Sequence, residues 1–169
     1  ISGRFSEQQR EVYQIVLETA NAAFAVCQPG NLLRDMHNEA MKVIASHCER
    51  LGIIPVTAEE SLLPENQYHR RWMVHGTGHH LGLDVHDCAQ ARKEMYLDTE
   101  LKPGMVFTIE PGLYFHQNDQ LAPKEFRGIG VRIEDHVATT ETGYDWLSRD
   151  IPRSVEEVEA WIQSIWDGN

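Results

Sequence analysis

The sequence predicts an α+β fold, an antiparallel sheet with helices on one side. Helical periodicity fills roughly the first fifty residues, alternating β-branched segments follow at 105–110 and 129–139, and one amphipathic helix closes the chain. Helices in a run, then strands in a run, belong to that class rather than to a parallel βαβ arrangement. At 169 residues the chain can build one domain with its own core.

Ser6 followed by Gln9 is a capping-box pattern, and Val12, Ile15, Val16, Ala20, Ala23 and Phe24 recur behind it at helical spacing. Pro29-Gly30 marks the turn that stops this first helix. A second helix fits 32–50, with Leu33, Met36, Ala40, Val43 and Ile44 as its apolar face and Gly52 as a left-handed C-terminal cap. Residues 55–70 are polar and hold Pro55 and Pro64, which predicts loop with at most a short helix. MVFTIE at 105–110 and IGVRIEDHVAT at 129–139 read as strands, with turns at Pro103-Gly104 and Glu141-Thr142-Gly143. Ser154 with Glu157 opens the last helix, which carries Val155, Val158, Ile162 and Ile165 on one side.

Composition narrows the function. Hydrophobic residues make up 41% and charged residues 24%, ordinary for a soluble globular protein. A net charge of −11, from 26 acids against 15 bases, argues against a nucleic-acid partner and against an anionic membrane surface. No stretch approaches the ~18 apolar residues of a membrane span, and no apolar signal region opens the chain. Cys27, Cys48 and Cys88 are odd in number and widely spaced, so neither a disulfide framework nor a CxxC zinc motif follows, and a reducing, cytoplasmic compartment is the simpler expectation. The first residue is Ile1, not methionine, which is expected of a processed protein or a piece of a longer one.

Three features carry chemistry. Five of the nine histidines (His69, His75, His79, His80 and His86) fall within 18 positions, interleaved with Gly76, Gly78 and Gly82. Imidazole is the commonest metal ligand and the usual proton carrier near neutral pH, and glycines let the backbone bend so that several rings converge. One such histidine is more often a solvated loop residue; this density among glycines argues for a site. Second, the apolar strand Val106-Phe-Thr-Ile ends on Glu110, just before Pro111-Gly112. Third, Arg132, Glu134 and His136 share one strand face, with Val131, Ile133 and Asp135 on the other. A carboxylate in an apolar strand is costly to bury uncompensated. A salt bridge to Arg132 or an exposed face would answer for Glu134, and so would a divalent cation. Oxygen ligands with one imidazole favour Mn²⁺, Co²⁺ or Zn²⁺, and such a cation makes a nucleophile of water at neutral pH. No GxSxG elbow or Walker A motif is present, Gly76, Gly78 and Gly82 miss the dinucleotide spacing, and no cysteine sits in a nucleophile motif.

His75-Gly-Thr-Gly-His79-His-Leu-Gly-Leu-Asp-Val-His86-Asp, then Leu101-Lys-Pro-Gly-Met-Val-Phe-Thr-Ile-Glu110-Pro-Gly-Leu-Tyr114, then Arg127-Gly-Ile-Gly-Val-Arg-Ile-Glu134-Asp resemble the metallopeptidases of the pita-bread fold, and within them the Xaa-Pro aminopeptidases (aminopeptidase P). Gly3-Arg-Phe-Ser-Glu-Gln-Gln-Arg-Glu-Val-Tyr is similar to the first helix of that catalytic domain, so the resemblance spans nearly the whole chain. It implies release of an N-terminal residue from peptides with proline in second position. It also implies two divalent cations, commonly Mn²⁺, bridged by an attacking hydroxide and held by two Asp, one His and two Glu. On the matching positions His79, Glu110 and Glu134 are the implied metal ligands, with Glu110 also passing the proton. His75 and His86 are the implied catalytic histidines that position substrate and stabilise the tetrahedral intermediate, and Tyr114 and Arg132 orient the carboxylates.

The two aspartate ligands of such enzymes lie on a hairpin that ends just before the segment matching Ile1–Arg4, and nothing here matches it. The expectation is therefore that residues 1–169 are the C-terminal portion of a pita-bread catalytic domain, lacking the first strands and the N-terminal domain. Alone it would hold at most one cation weakly, show little or no peptidase activity, and stay with the missing part or form a homo-oligomer. A prolidase restricted to Xaa-Pro dipeptides is the alternative within enzymes. A metal-free pita-bread module that binds peptides is the alternative outside them, and its usual loss of ligands is not seen at the positions covered. A hydrolase of small-molecule carbon–nitrogen bonds in the same fold is weaker still.

Overall fold

The computed structural model describes residues 3–168, and the expectation attached to Ile1 lies outside them. Among the described residues five α-helices and five strands follow the expected order.

Helix α1 (Glu7–Ala25) starts on the predicted box. The Ser6 hydroxyl accepts the Gln9 amide at 3.1 Å, and the Gln9 side chain accepts the Ser6 amide at 2.9 Å. All six predicted apolar positions of α1 are buried. Helix α2 (Leu33–Arg50) has no hydroxyl at its cap, and the Asp35 carboxylate accepts the Leu32 amide instead, at 2.8 Å. It ends in a Schellman turn. Gly52 takes φ +65°, its amide donates to the Glu49 carbonyl at 2.8 Å, and the Ile53 amide reaches the Cys48 carbonyl at 3.0 Å. The polar stretch behind it forms α3 (Ala58–Ser61) and a 3₁₀ turn (Tyr68–Arg71), and α4 (Lys93–Tyr96) is a further short helix.

Strands β1 (Val106–Ile109), β4 (Asp135–Thr139) and β5 (Tyr144–Trp146) form one antiparallel sheet in the order β1-β4-β5. Strands β2 (Gly112–Tyr114) and β3 (Gly130–Arg132) form a second. The expectation of one strand over 129–139 is thus corrected to two strands in two sheets. The physical reason lies on the opposite strand. The register runs Ile109↔Asp135 on one side of the gap and Gly112↔Arg132 on the other, so both sheets are parts of one ladder in unbroken register. Pro111 sits in the gap without an amide proton, and the ladder is reduced there to the Ile133 amide on the Pro111 carbonyl at 3.3 Å.

Helix α1 lies along this ladder against β1, β2 and β3, and α2 packs on α1. Phe107, Ile109, Leu113, Phe115 and Val137 meet Val12, Ile15, Val16 and Phe24 in the core. Burying each such large side chain contributes about 1.5–3 kcal/mol, so the helix-facing side of the ladder is held rigidly and its other side is free to carry polar groups. Helix α5 (Val155–Trp166) is anchored at its start, where Val155 is buried, and through Glu156 and Glu159, which pair with Arg10. Its far end differs from expectation, for Ile165 is exposed. Among the described residues no helix is long and apolar enough to cross a membrane.

Candidate active site

The glycine-rich histidine segment runs extended along the free edge of β1 and is joined to it by an isolated His80–Phe107 bridge. The amides of Leu81, Thr108 and Glu110 donate to the carbonyls of Val106, His79 and Thr77 at 2.9, 2.9 and 2.6 Å, so 77–81 runs antiparallel beside β1. Gly78 makes that approach possible, because a Cβ there would stand 2.0 Å from the Thr108 carbonyl oxygen. Three neighbouring extended segments thus present one open face, carrying His79 on the first, Thr108 and Glu110 on the second, and Arg132, Glu134 and His136 on the third.

The unbroken register sets Glu110 opposite Glu134 at the Pro111 gap. Two like charges opposite each other in a ladder repel, and the surroundings divide the load between them. Glu110, which is buried, lies 3.2 Å from His79 Nε2 and 3.5 Å from an Arg132 guanidinium nitrogen, and it accepts the Thr108 hydroxyl at 3.2 Å. Glu134, more open to solvent, lies 3.4 Å from His136 Nε2. Burial opposes the Arg132 charge, but the Tyr114 hydroxyl and the carboxylates of Glu110 and Glu134 together hold its pKa above the ordinary value.

The tautomers follow from the partners. His79 Nδ1 is 3.0 Å from the His80 carbonyl, which only accepts, so Nδ1 donates there and the ring directs Nε2 at Glu110. His75 Nδ1 likewise donates to the Gly76 carbonyl at 2.6 Å. Its Nε2 accepts from the Tyr114 hydroxyl at 2.8 Å, and that hydroxyl accepts from Arg132 Nε at 2.8 Å. The His86 ring is exposed and stands 4.3 Å from that of His79, centroid to centroid.

Seven sequence-predicted residues therefore fall on one face. His75, Tyr114, Arg132, Glu110, His79 and His86 form a continuous chain of contacts, whereas the contact of Glu134 is with His136. Among the described residues no three His, Cys, Asp or Glu side chains form a cluster able to hold a metal ion. Behind the 77–81 segment a cleft of about 1140 Å³ opens between α2 and Gly76–Gly78, with His37 and His69 among its walls. His37 Nδ1 is 2.9 Å from the Thr77 hydroxyl.

The sequence and the fold have counterparts among known proteins. The profile of metallopeptidase family M24 matches residues 1–141. This chain belongs to metallopeptidase family M24. The M24 chain is 49% identical over 162 residues to "Xaa-Pro aminopeptidase 2" of Streptomyces coelicolor, covering 96% of this chain and 34% of that protein. Of solved structures, Pseudomonas aeruginosa aminopeptidase PepP superposes with TM-score 0.89 at 36% identity, covering 98% of this chain and 37% of that one. Zinc-substituted Escherichia coli aminopeptidase P in complex with product gives 0.87 at 36% identity, with 96% and 36% covered. The fold is thus the pita-bread fold of aminopeptidase P. The M24 chain spans about a third of the length of the curated relatives it matches.

Sequence reasoning passed over Thr108, which accepts the His79 amide at 3.0 Å and donates to Glu110. It placed His136 on the face of Glu134 but gave it no role. Both were legible as alternation, since each lies two residues from a singled-out carboxylate on the same face.

Proposed function

We propose that this chain is the C-terminal portion of the catalytic domain of an Xaa-Pro aminopeptidase, which releases the N-terminal residue of peptides with proline second. The observation that carries this is the pair Glu110 and Glu134, opposite each other at a ladder gap, with Nε2 of His79 3.2 Å from Glu110. His79, Glu110 and Glu134 are the side chains of this chain that would hold divalent metal, two ions in the whole enzyme and at most one, weakly bound, here. Manganese suits the oxygen-rich donor set, with cobalt and zinc as alternatives. When bound, the metal supplies Lewis acidity and a water acidic enough to attack at neutral pH.

The chain's own residues do the rest. Glu110 accepts the proton of the attacking water and returns it to the leaving amine. Arg132 holds Glu110 from one side and, through Tyr114, fixes the tautomer of His75, so that His75 and the open His86 ring can orient a peptide carbonyl and its developing negative charge. The two further ligands are assigned to the rest of the longer polypeptide, which is the expected partner, together with further copies of itself. Three unpaired thiols fit a reducing, cytoplasmic setting.

The test offers the longer protein, loaded with Mn²⁺, a tripeptide with proline second. Wild type should release the first residue, and Glu110→Ala or Glu134→Ala should lower kcat/KM by about 100-fold or more while metal content falls. Retained turnover and metal content in Glu134→Ala would remove Glu134 from the ligand set. Turnover of dipeptides only would make the enzyme a prolidase. The 169-residue chain alone should be inactive; proline-dependent cleavage by it would overturn the assignment of missing ligands.

A further inference from the structure

We propose that Asp135 is the positioning residue for Glu134, held in that role by Ser148, Trp146 and Arg153. The inference rests on the assignment of Glu134 as a metal ligand. Asp135 is 99% buried on the helix-facing side of β4, where an apolar residue would be ordinary. Its Oδ1 accepts from the Ser148 hydroxyl at 2.6 Å and from the Trp146 indole at 2.9 Å, and its Oδ2 pairs with Arg153 Nε at 2.8 Å. Ser148 Oγ also accepts the His136 amide at 3.1 Å. The Arg153 guanidinium carbon lies 4.8 Å from the Trp146 ring centre and 5.2 Å from that of Phe24, and the group donates to Asn21 Oδ1 at 3.2 Å. One carboxylate thereby ties β4 to β5, to α1 and to the approach to α5.

A buried ion pair is seldom more stabilising than a well-packed apolar cluster of the same volume. What it supplies is direction. Glu134 stands at the Pro111 gap, where the ladder that fixes strands elsewhere is thinned to one long bond. Successive side chains of a strand point to opposite faces, so two hydrogen-bond donors and the Arg153 charge, which hold Asp135 inward, fix the next peptide unit and aim Glu134 outward, opposite Glu110. The anchor replaces, at this one position, the orientation that backbone pairing gives the rest of the strand.

The test titrates the longer protein, stripped of metal, with Mn²⁺ at 25 °C, following free Mn²⁺ by electron paramagnetic resonance, in wild type, Glu134→Gln, Asp135→Asn, Ser148→Ala and Ser6→Ala. Ser6→Ala removes the α1 cap and so destabilises the fold away from the site. The expected result is a loss of Mn²⁺ affinity of about tenfold or more in Asp135→Asn, the scale seen when partners of metal ligands are removed, a smaller loss in Ser148→Ala, and none in Ser6→Ala. Wild-type affinity in Asp135→Asn overturns the inference, provided Glu134→Gln is weakened; the anchor then serves stability alone. If Asp135→Asn does not fold, Ser148→Ala decides, because Asp135 keeps the Trp146 hydrogen bond and the Arg153 ion pair there, and undiminished affinity in it overturns the inference. Equal binding by wild type and Glu134→Gln overturns the ligand assignment, and this inference with it.

Discussion

Replacing Gly78 by alanine tests how the 77–81 segment is docked. The φ of Gly78 is outside the left-handed region, so backbone strain plays no part and the effect is steric. The new Cβ would sit 2.0 Å from the Thr108 carbonyl oxygen and 3.1 Å from its carbon. A relaxed carbon–oxygen contact needs about 3.3 Å or more, so the strands must part by roughly 1 Å. The Glu110 amide on Thr77 and the Thr108 amide on His79 bracket the position and are the bonds strained first. Each is worth about 1 kcal/mol net, with a further 1–3 kcal/mol where a buried group is left unpaired. The expected cost is about 2–4 kcal/mol, which for a domain of this size lowers the melting temperature by about 5–15 °C. Urea unfolding reads the free energy, and amide hydrogen exchange at Thr108 and Glu110 should speed up ahead of the rest of β1. Gly143→Ala is the control, since a Cβ there meets nothing within 4 Å, and should stay within about 0.5 kcal/mol. Equal stability of the two variants would refute the docking of 77–81 on β1.

Burial, then the charges of Arg70, His69 and His75, push the His37 imidazole down to about 4. The folded protein therefore keeps it neutral while the unfolded chain protonates near 6.5; stability should be unaffected by this group above pH 6.5 and fall as pH drops from 6.5 toward 4, by up to ~3 kcal/mol, and His37→Gln should flatten the urea midpoint over that window, with an unchanged slope counting against it. Burial pushes the Cys27 and Cys48 thiols up to about 12, whereas Cys88 is exposed. A thiol reagent at neutral pH should label one site in the native protein and three in urea; mass spectrometry showing rapid native labelling of Cys27 or Cys48 would contradict the core packing.

Helices α1 and α2 were legible because their signals are local. The Ser6–Gln9 box, the apolar spacing and Gly52 each act within a few residues. The error in the sheet has a distant cause. The split of 129–139 is imposed by Pro111, whose missing amide lies across the ladder. Of the site, residue types and faces could be read, but the opposition of Glu110 and Glu134 needed the register. The buried Asp135 had a signal that went unused, for alternation already put it on the same face as Val131 and Ile133, where a carboxylate calls for donors.

The pairing of glutamate with proline at 110–111 is what joins fold to chemistry. Proline confines the residue before it to extended backbone, so Glu110 continues the line of β1 and keeps its place on the open face. The same proline removes one rung of the ladder, so the strands stay in register across a gap that backbone bonds do not close. Two carboxylates then stand opposed on the open face, one shielded by Arg132 and His79, the other by His136. Apolar packing of Ile109, Leu113 and Ile133 beneath holds both flanks of the gap, so the repulsion cannot be relieved by parting the strands. On the proposed assignment, a divalent cation held by both carboxylates would relieve it instead.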